Sequence, residues 1–201
     1  MPALRINSTT EFYERNADQF CGSTSGLNME SLYDRFLKLL PKAGTILDAG
    51  CGSGRDTRAF KARGFHVTAI DSSRRVVQFA REFTGQKCRL LRLQDIEFHE
   101  KFDGIWACAS LLHLRKREIA DVMFRLIDAL KAGGVMYVSL KEGRGERIAE
   151  DGRFFNYYTL TSLRRLLSEF SNVDELAIWK TRDIRPGRHG AHWLNALVRK
   201  I

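Results

Sequence analysis

Apolar residues recur along this chain in two alternating rhythms. Phe12, Tyr13 and Phe20 punctuate a polar stretch and predict a helix over residues 9–20, followed by a loop, Cys21-Gly22-Ser23-Thr24-Ser25-Gly26. Leu32, Phe36, Leu39 and Leu40 then repeat at helical spacing, so a second helix runs from about Glu30 until Pro41 stops it. From Thr45 onward, short apolar runs alternate with amphipathic ones. Thr45–Ala49 reads as strand β1, and Arg55–Arg63 as a helix that Gly64 ends. Phe65–Ile70 reads as β2, and Ser72 or Ser73 can cap the next helix by accepting a backbone N–H bond. That helix turns Val76, Phe79, Ala80 and Phe83 inward. Cys88–Leu93 reads as β3, Phe102–Cys108 as β4, and Lys116–Leu130 as a helix that Gly133-Gly134 ends before β5, Val135–Leu140. Residues 141–158 are polar and rich in glycine and arginine, hence a loop, and Thr159–Phe170 is a last helix. Two closing strands, about Asp174–Arg182 and His192–Arg199, flank Pro186-Gly187 and should pair antiparallel.

Strands alternating with helices imply an α/β fold: a doubly wound, mainly parallel sheet with helices on both faces. The nearly continuous apolar run of β2 suits a strand covered on both sides. A length of 201 residues suits one domain with a full core. Within it, residues 1–44 read as an N-terminal helical arm and residues 45–201 as the core.

Composition narrows the classes. No apolar run reaches the roughly 18 to 20 residues of a membrane span. The widely spaced Cys21, Cys51, Cys88 and Cys108 offer no zinc or dithiol motif, and reduced thiols in a cytoplasmic protein are the expectation. The net charge is +9, and residues 1–50 carry five basic and six acidic side chains, so the excess lies beyond them. A basic surface raises the odds of an anionic partner, although solvated charge is the commoner explanation. A monomer or homodimer is expected.

The richest segment is Ile46-Leu47-Asp48-Ala49-Gly50-Cys51-Gly52-Ser53-Gly54-Arg55-Asp56-Thr57. Its order is strand, tight glycine turn, helix. Glycines permit positive φ and close approach of a ligand to the backbone, and a helix start offers free N–H groups. A phosphate loop of the Walker kind is excluded, because no Gly-Lys-Ser/Thr follows. The dinucleotide spacing G-x-G-x-x-G is not met either, since the third glycine comes one position early.

This D-A-G-C-G-S-G resembles motif I of the class I S-adenosylmethionine-dependent methyltransferases. The order of the other motifs agrees: Asp71 ends β2, 17 positions after Gly54, and Leu93-Gln94-Asp95-Ile96 follows β3. Phe102–Ser110 resembles motif IV, and Lys131-Ala132-Gly133-Gly134-Val135 resembles the turn into β5. The resemblance implies a Rossmann-like, seven-stranded sheet with a C-terminal antiparallel strand. Within the class, Gly-Cys-Gly-Ser-Gly-Arg-Asp, Phe-Asp-Gly-Ile-Trp-Ala-Cys-Ala-Ser-Leu-Leu-His, Asp-Ile-Arg-Pro-Gly-Arg and Trp-Leu-Asn are similar to small stand-alone methyltransferases, including those associated with tellurite resistance.

The resemblance implies S-adenosyl-L-methionine as cofactor and S-adenosyl-L-homocysteine as product. It implies roles for the loop residues Asp48, Ala49, Gly50, Cys51, Gly52 and Gly54. Asp71 would hold the ribose hydroxyls, with Ser72 beside it. Asp95 would accept from the adenine amine, with Gln94 and Ile96 flanking the ring and Ala109 completing the set. Asp48 either approaches the methionine ammonium or only braces the loop. Arg55 either meets the methionine carboxylate or is a solvated helix residue. Tyr13 and Phe20 either cover the cofactor from the arm or are core aromatics, and Cys51 is a small filler. His113, just beyond β4, is the candidate general base, with a structural histidine as the alternative. Loops after parallel strands share one face, which would bring Lys141, Arg144, Arg147, Arg153, Arg185, Arg188 and His189 to the active-site rim. Arg144, Arg153, Arg185 and Arg188 are therefore the candidate ligands of a small, anionic or thiol-type methyl acceptor. An RNA methyltransferase is the alternative; Cys108-Ala109-Ser110-Leu111 lacks the Asn/Asp-Pro-Pro-Tyr/Phe of exocyclic-amine methylases. A non-catalytic cofactor-binding partner subunit is the second. No metal site is expected.

Overall fold

The computed structural model describes residues 7–185, 187 and 190–201, with the side chains of Asn7 and Ser8 left aside. Three short helices come first: α1 (Asn7–Arg15), α2 (Ala17–Thr24) and α3 (Glu30–Leu37). The alternating part follows as β1 (Thr45–Ala49), α4 (Arg55–Ala62), β2 (His66–Asp71), α5 (Arg74–Thr84), β3 (Cys88–Leu90), β4 (Phe102–Cys108), α6 (Lys116–Ala129) and β5 (Leu130–Lys141). The chain closes with β6 (Glu146–Ile148), β7 (Phe154–Asn156), α7 (Leu160–Leu167), β8 (Val173–Arg182) and β9 (His192–Lys200). Single 3-10 turns occupy Leu93–Asp95 and Leu111–His113.

Seven strands form one sheet in the order β3-β2-β1-β4-β5-β9-β8, and β6 and β7 form a separate hairpin. The first five strands are parallel, while β9 runs antiparallel between β5 and β8. This is the expected Rossmann-like sheet with its antiparallel C-terminal strand. The period of two along β1 divides the layers. Ile46 joins Tyr33, Phe36, Phe60, Trp106 and Tyr137 on the α3/α4 face. Leu47 and Ala49 join the larger core beneath α6 and α7, with Ile119, Met123, Leu126, Leu163 and Leu166. Gly104 on β4 has no room for a side chain, because a Cβ there would lie 2.7 Å from Phe36 and from Leu40. That contact lets α3 lie close against the sheet.

Several element boundaries differ from the sequence expectation; α3 already stops at Leu37, before Pro41, and α7 covers only Leu160–Leu167. The helix over 9–20 is two helices, broken at Asn16, whose side-chain amide donates to Phe12 O (2.8 Å) and competes with the backbone ladder. Cys21–Thr24 is helical rather than loop, with the Ser23 and Thr24 hydroxyls donating back to Phe20 O. β3 ends at Leu90, after which the chain tightens into the Leu93–Asp95 turn. β5 begins five residues early, because Leu130 already pairs with Phe102 before the register shifts. The stretch after β5 holds the β6/β7 hairpin. Among the described residues, no helix is long and apolar enough to cross a membrane.

Candidate active site

The sheet order reverses between β1 and β4, and a cavity of about 600 Å³ opens at their carboxyl ends. The glycine loop forms its floor. Gly50, Gly52 and Gly54 have φ of 85°, 53° and 81°, where side-chain-bearing residues are rare. Gly50 N and Cys51 N both donate to Ile70 O (3.0 and 2.9 Å), which pins the loop to the end of β2. A Cβ on Gly50 would lie 2.5 Å from Ser110 Cβ, so the loop and the segment after β4 touch. Asp71 links the loop to the next helix: its carboxylate accepts from Gly52 N (3.1 Å) and from Ser73 N (3.0 Å). Burial raises the Asp71 pKa against those bonds. Ser73 is the cap of α5, accepting from Val76 N. Ala109 also takes a positive φ, 54°, held by its N–H bond to Ser139 Oγ (2.8 Å). Beside it, Ser110 Oγ is buried without a hydrogen-bond partner and borders the cavity.

Beneath the loop lies a buried polar knot. Asp56, in the first turn of α4, accepts from Arg55 Nε (2.6 Å) and Nη2 (2.9 Å), from Trp106 Nε1 (2.8 Å) and from the Tyr33 hydroxyl. Burial works to raise its pKa, but the Arg55 guanidinium and those donors hold it below the ordinary carboxylate range. Burial and the nearby Asp56 charge push Asp48 the other way, well up, while it accepts from Thr57 Oγ1 (2.6 Å).

The far end of the cavity is aromatic and basic. Phe154 O takes the Nδ1–H of His113 (2.7 Å), because a carbonyl can only accept. His113 Nε2 is then the acceptor of the Tyr13 hydroxyl proton at 2.9 Å. Burial lowers the His113 pKa to about 4, with the Arg153 and Lys141 charges adding to the effect. Arg153 stacks over Phe12 (4.3 Å) and is forked onto Asp151; Arg185 stacks over Trp193 (5.7 Å) and is forked onto Asp183. Lys141 Nζ lies 4.2 Å above the Phe155 ring.

The structure gathers Tyr13, Gly50, Cys51, Gly52, Arg55, Asp71, Ser72, Gln94, Ala109, His113, Arg153 and Arg185 around this one cavity, with Phe20 and Lys141. It does not bring all the expected residues there. Asp48 is 1% exposed and turned to Thr57, and Ala49 is buried in the core, so the two brace the loop from behind. Gly54 faces α5, where a Cβ would meet Thr84 at 2.6 Å. Asp95 points outward, 46% exposed, in a two-point pair with Arg92; its neighbour Ile96 is buried in the core. The stretch from the end of β3 into the 3-10 turn presents Leu91, Arg92, Leu93 and Gln94 to the cavity instead. Arg144 is exposed in the turn before β6 and away from the lining. Arg188 and His189 lie outside the described residues.

Asp56, Ser110, Asp183, Trp193 and Asn195, which stand within the sequence motifs without an expected role, also border the cavity. The repeated spacing Asp151-x-Arg153 and Asp183-x-Arg185 was the available signal for the forked pairs.

Three comparisons bear on this geometry. Residues 46–134 match the methyltransferase-domain family. The putative methyltransferase YqeM of Bacillus subtilis (strain 168) is 31% identical over 115 residues, covering 52% of this chain and 47% of the relative. The 2-methyl-6-phytyl-1,4-hydroquinone methyltransferase of Synechocystis is 29% identical over 143 residues, covering 68% of this chain and 43% of the relative. The match thus spans less than half the length of these curated relatives. Among solved structures, the 1,6-didemethyltoxoflavin N1-methyltransferase of Burkholderia thailandensis, with 1,6-didemethyltoxoflavin and S-adenosylhomocysteine bound, superposes with TM-score 0.76. It is 20% identical, and the alignment covers 98% of this chain and 87% of that one. Residues 46–134 thus resemble a methyltransferase domain, and the whole chain carries the Rossmann-like, seven-stranded fold of that solved methyltransferase.

Proposed function

We infer that the protein transfers the methyl group of S-adenosyl-L-methionine to a small acceptor, anionic or thiol-type, and releases S-adenosyl-L-homocysteine. The observation that carries this reading is a single cavity with two unlike ends. One end is the glycine loop with Asp71 at the strand switch; the other is aromatic and lined by the basic side chains of Lys141, Arg153 and Arg185.

The residues present fit the cofactor. Asp71 offers carboxylate oxygens to paired hydroxyls beside a loop whose backbone a ligand can approach. Gln94 and Leu93 line the same cavity and would flank a flat ring. The unpartnered Ser110 Oγ supplies a buried polar atom at the same wall. Arg55 is neutralised by Asp56, so a sulfonium beside it meets little net repulsion. When bound, S-adenosylmethionine supplies a methyl group already activated for transfer by its positive sulfur.

What remains for the chain is to hold the acceptor in line and to exclude water, an effect worth at most roughly 7–11 kcal/mol. His113 is poorly suited to act as a free base, since both ring nitrogens are engaged and its pKa is lowered to about 4. That favours an acceptor which arrives ionised, or ionises on binding, as thiolates and oxyanions do. Asp151 and Asp183 each take two of the five N–H donors of their arginine and fix its plane. The arms so fixed border the acceptor end together with Lys141. Their likeness to the stand-alone tellurite-resistance-type sequences, in Asp183-Ile184-Arg185 and Trp193-Leu194-Asn195, fits a small acceptor.

The test is a screen of small thiols, oxyanions and phenols read out as S-adenosylhomocysteine release, with tRNA as a competitor class. Turnover of a small anion supports the reading; turnover of RNA alone overturns it. With the acceptor in hand, Arg185→Ala should raise its KM by about tenfold or more, the loss of one charge-assisted pair. Its effect on S-adenosylhomocysteine affinity should stay within about twofold. Equal losses in both would remove Arg185 from the acceptor end.

A further inference from the structure

Cys51 sits between two positive-φ glycines in the loop, and Cys88 opens β3. Their sulfur atoms are 3.2 Å apart, although 37 residues separate them in sequence. Both are free thiols. They share a small cluster with Ala69, Val77 and Ala80, so no bulky group wedges them apart. Cys88 is 2% exposed, whereas Cys51 is 6% exposed and borders the cavity. The approach to the pair therefore runs through the ligand cavity.

We propose that Cys51 and Cys88 form a reversible disulfide that locks the glycine loop, with a hydroperoxide entering through the cavity as the oxidant. The proposal rests on the cofactor reading of the loop. A disulfide needs its sulfurs at about 2.05 Å, so closure takes about 1 Å of movement. The flanking glycines, with φ of 85° and 53°, give the loop that freedom. The Cys51 thiolate attacks one peroxide oxygen, the O–O bond breaks, and a sulfenic acid and an alcohol or water result. The Cys88 thiol then attacks that sulfur, the S–O bond breaks, and water leaves with the Cys88 proton. Two thiols lose two electrons and two protons in all, and the hydroperoxide takes both.

Closure has a specific consequence. Gly52 N, one residue on, donates to Asp71 at the end of β2, and β3 lies beside β2. Drawing Cys51 toward β3 displaces this N–H and with it the seat of the ribose-binding acid. The bond to Cys88 and burial both raise the Cys51 thiol pKa, so oxidation is slow near neutrality and quickens with pH. An occupied cavity shields Cys51.

The experiment treats the full chain with hydrogen peroxide, with and without S-adenosylhomocysteine, and follows thiol blocking by peptide mass spectrometry. The expected product is a cross-linked pair of peptides carrying Cys51 and Cys88, reversed by dithiothreitol and suppressed by the ligand. The oxidised protein should bind S-adenosylhomocysteine at least about tenfold more weakly, within the usual range of coupling between sites. Cys88→Ser should keep its affinity through the same treatment, and Cys88→Ala serves if the serine variant does not fold. Absence of the cross-linked pair, or a cross-link that leaves affinity unchanged, overturns the proposal. Failure of the reduced protein to bind S-adenosylhomocysteine instead sinks the cofactor reading, while the peptides alone still decide the disulfide.

Discussion

Burial, helped by the Arg153 and Lys141 charges, holds the imidazole of His113 neutral, and that gives it a pH signature. Its pKa is about 4 in the folded protein against 6.5 for the free group. Above pH 6.5 the ring is neutral in both states and its contacts contribute fully. As pH falls from 6.5 to 4, the unfolded chain gains a proton that the folded protein refuses, so stability declines; below 4 this contribution is gone. At about 1.4 kcal/mol per unit the loss is about 3 kcal/mol. Urea titrations from pH 7 to pH 4 should show this slope in the wild type and a flatter one in His113→Gln; parallel curves would refute it. Gly50 is a position where both space and backbone dihedral require glycine. Gly50→Ala adds a Cβ 2.5 Å from Ser110 Cβ at φ 85°, and should cost about 1–3 kcal/mol by thermal denaturation. Adding Ser110→Gly relieves the contact but not the dihedral, so it should restore only part of that stability.

At the scale of elements, Asp56 ties α3, α4 and β4 together, since its donors come from Tyr33, Arg55 and Trp106. Asp56→Asn removes the charge facing a buried guanidinium and should cost about 3–5 kcal/mol, measured as a fall in urea midpoint. Arg55→Met together with Asp56→Asn should cost less than Asp56→Asn alone, because no uncompensated charge remains. If the double variant is the less stable of the two, the ion pair is not what Asp56 contributes. The elements that sequence periodicity announced are those with enough turns to repeat it. The three-residue strands β6 and β7 repeat nothing, so they merged into a loop. Leu130 fits the helical pattern of α6 as well as a strand, and pairing with Phe102 decides in favour of the strand.

Across the whole molecule, the N-terminal helices close one side of the cavity. Thr9 Oγ1 accepts from Phe154 N (2.9 Å), Tyr13 reaches His113, and Glu14 accepts from Arg74 N and Arg75 N at the start of α5. This clamp lies against both ends of the site, so ligand binding and arm docking should reinforce each other. Thr9→Ala with Tyr13→Phe should weaken S-adenosylhomocysteine binding, read by calorimetry, and speed proteolysis within residues 7–24. Saturating S-adenosylhomocysteine, at about 100 times Kd, should stabilise the wild type by about 2.7 kcal/mol and raise Tm accordingly. No shift in Tm would contradict the cofactor reading. The amino-acid sequence by itself determined the alternation of strands and helices, the tight glycine turn and the acid at the end of β2. These are local matters: neighbouring residues set backbone dihedrals and the periods of two and 3.6. Only the tertiary structure decided which side chains face one another. Tyr13 meets His113 across 100 residues and Cys51 meets Cys88 across 37. Asp95 turned outward to Arg92, and Arg153 and Arg185 turned to aspartates two residues away. Such pairings follow from sheet order, register and burial, which bring distant residues together and fix which way a side chain points; no periodicity encodes them.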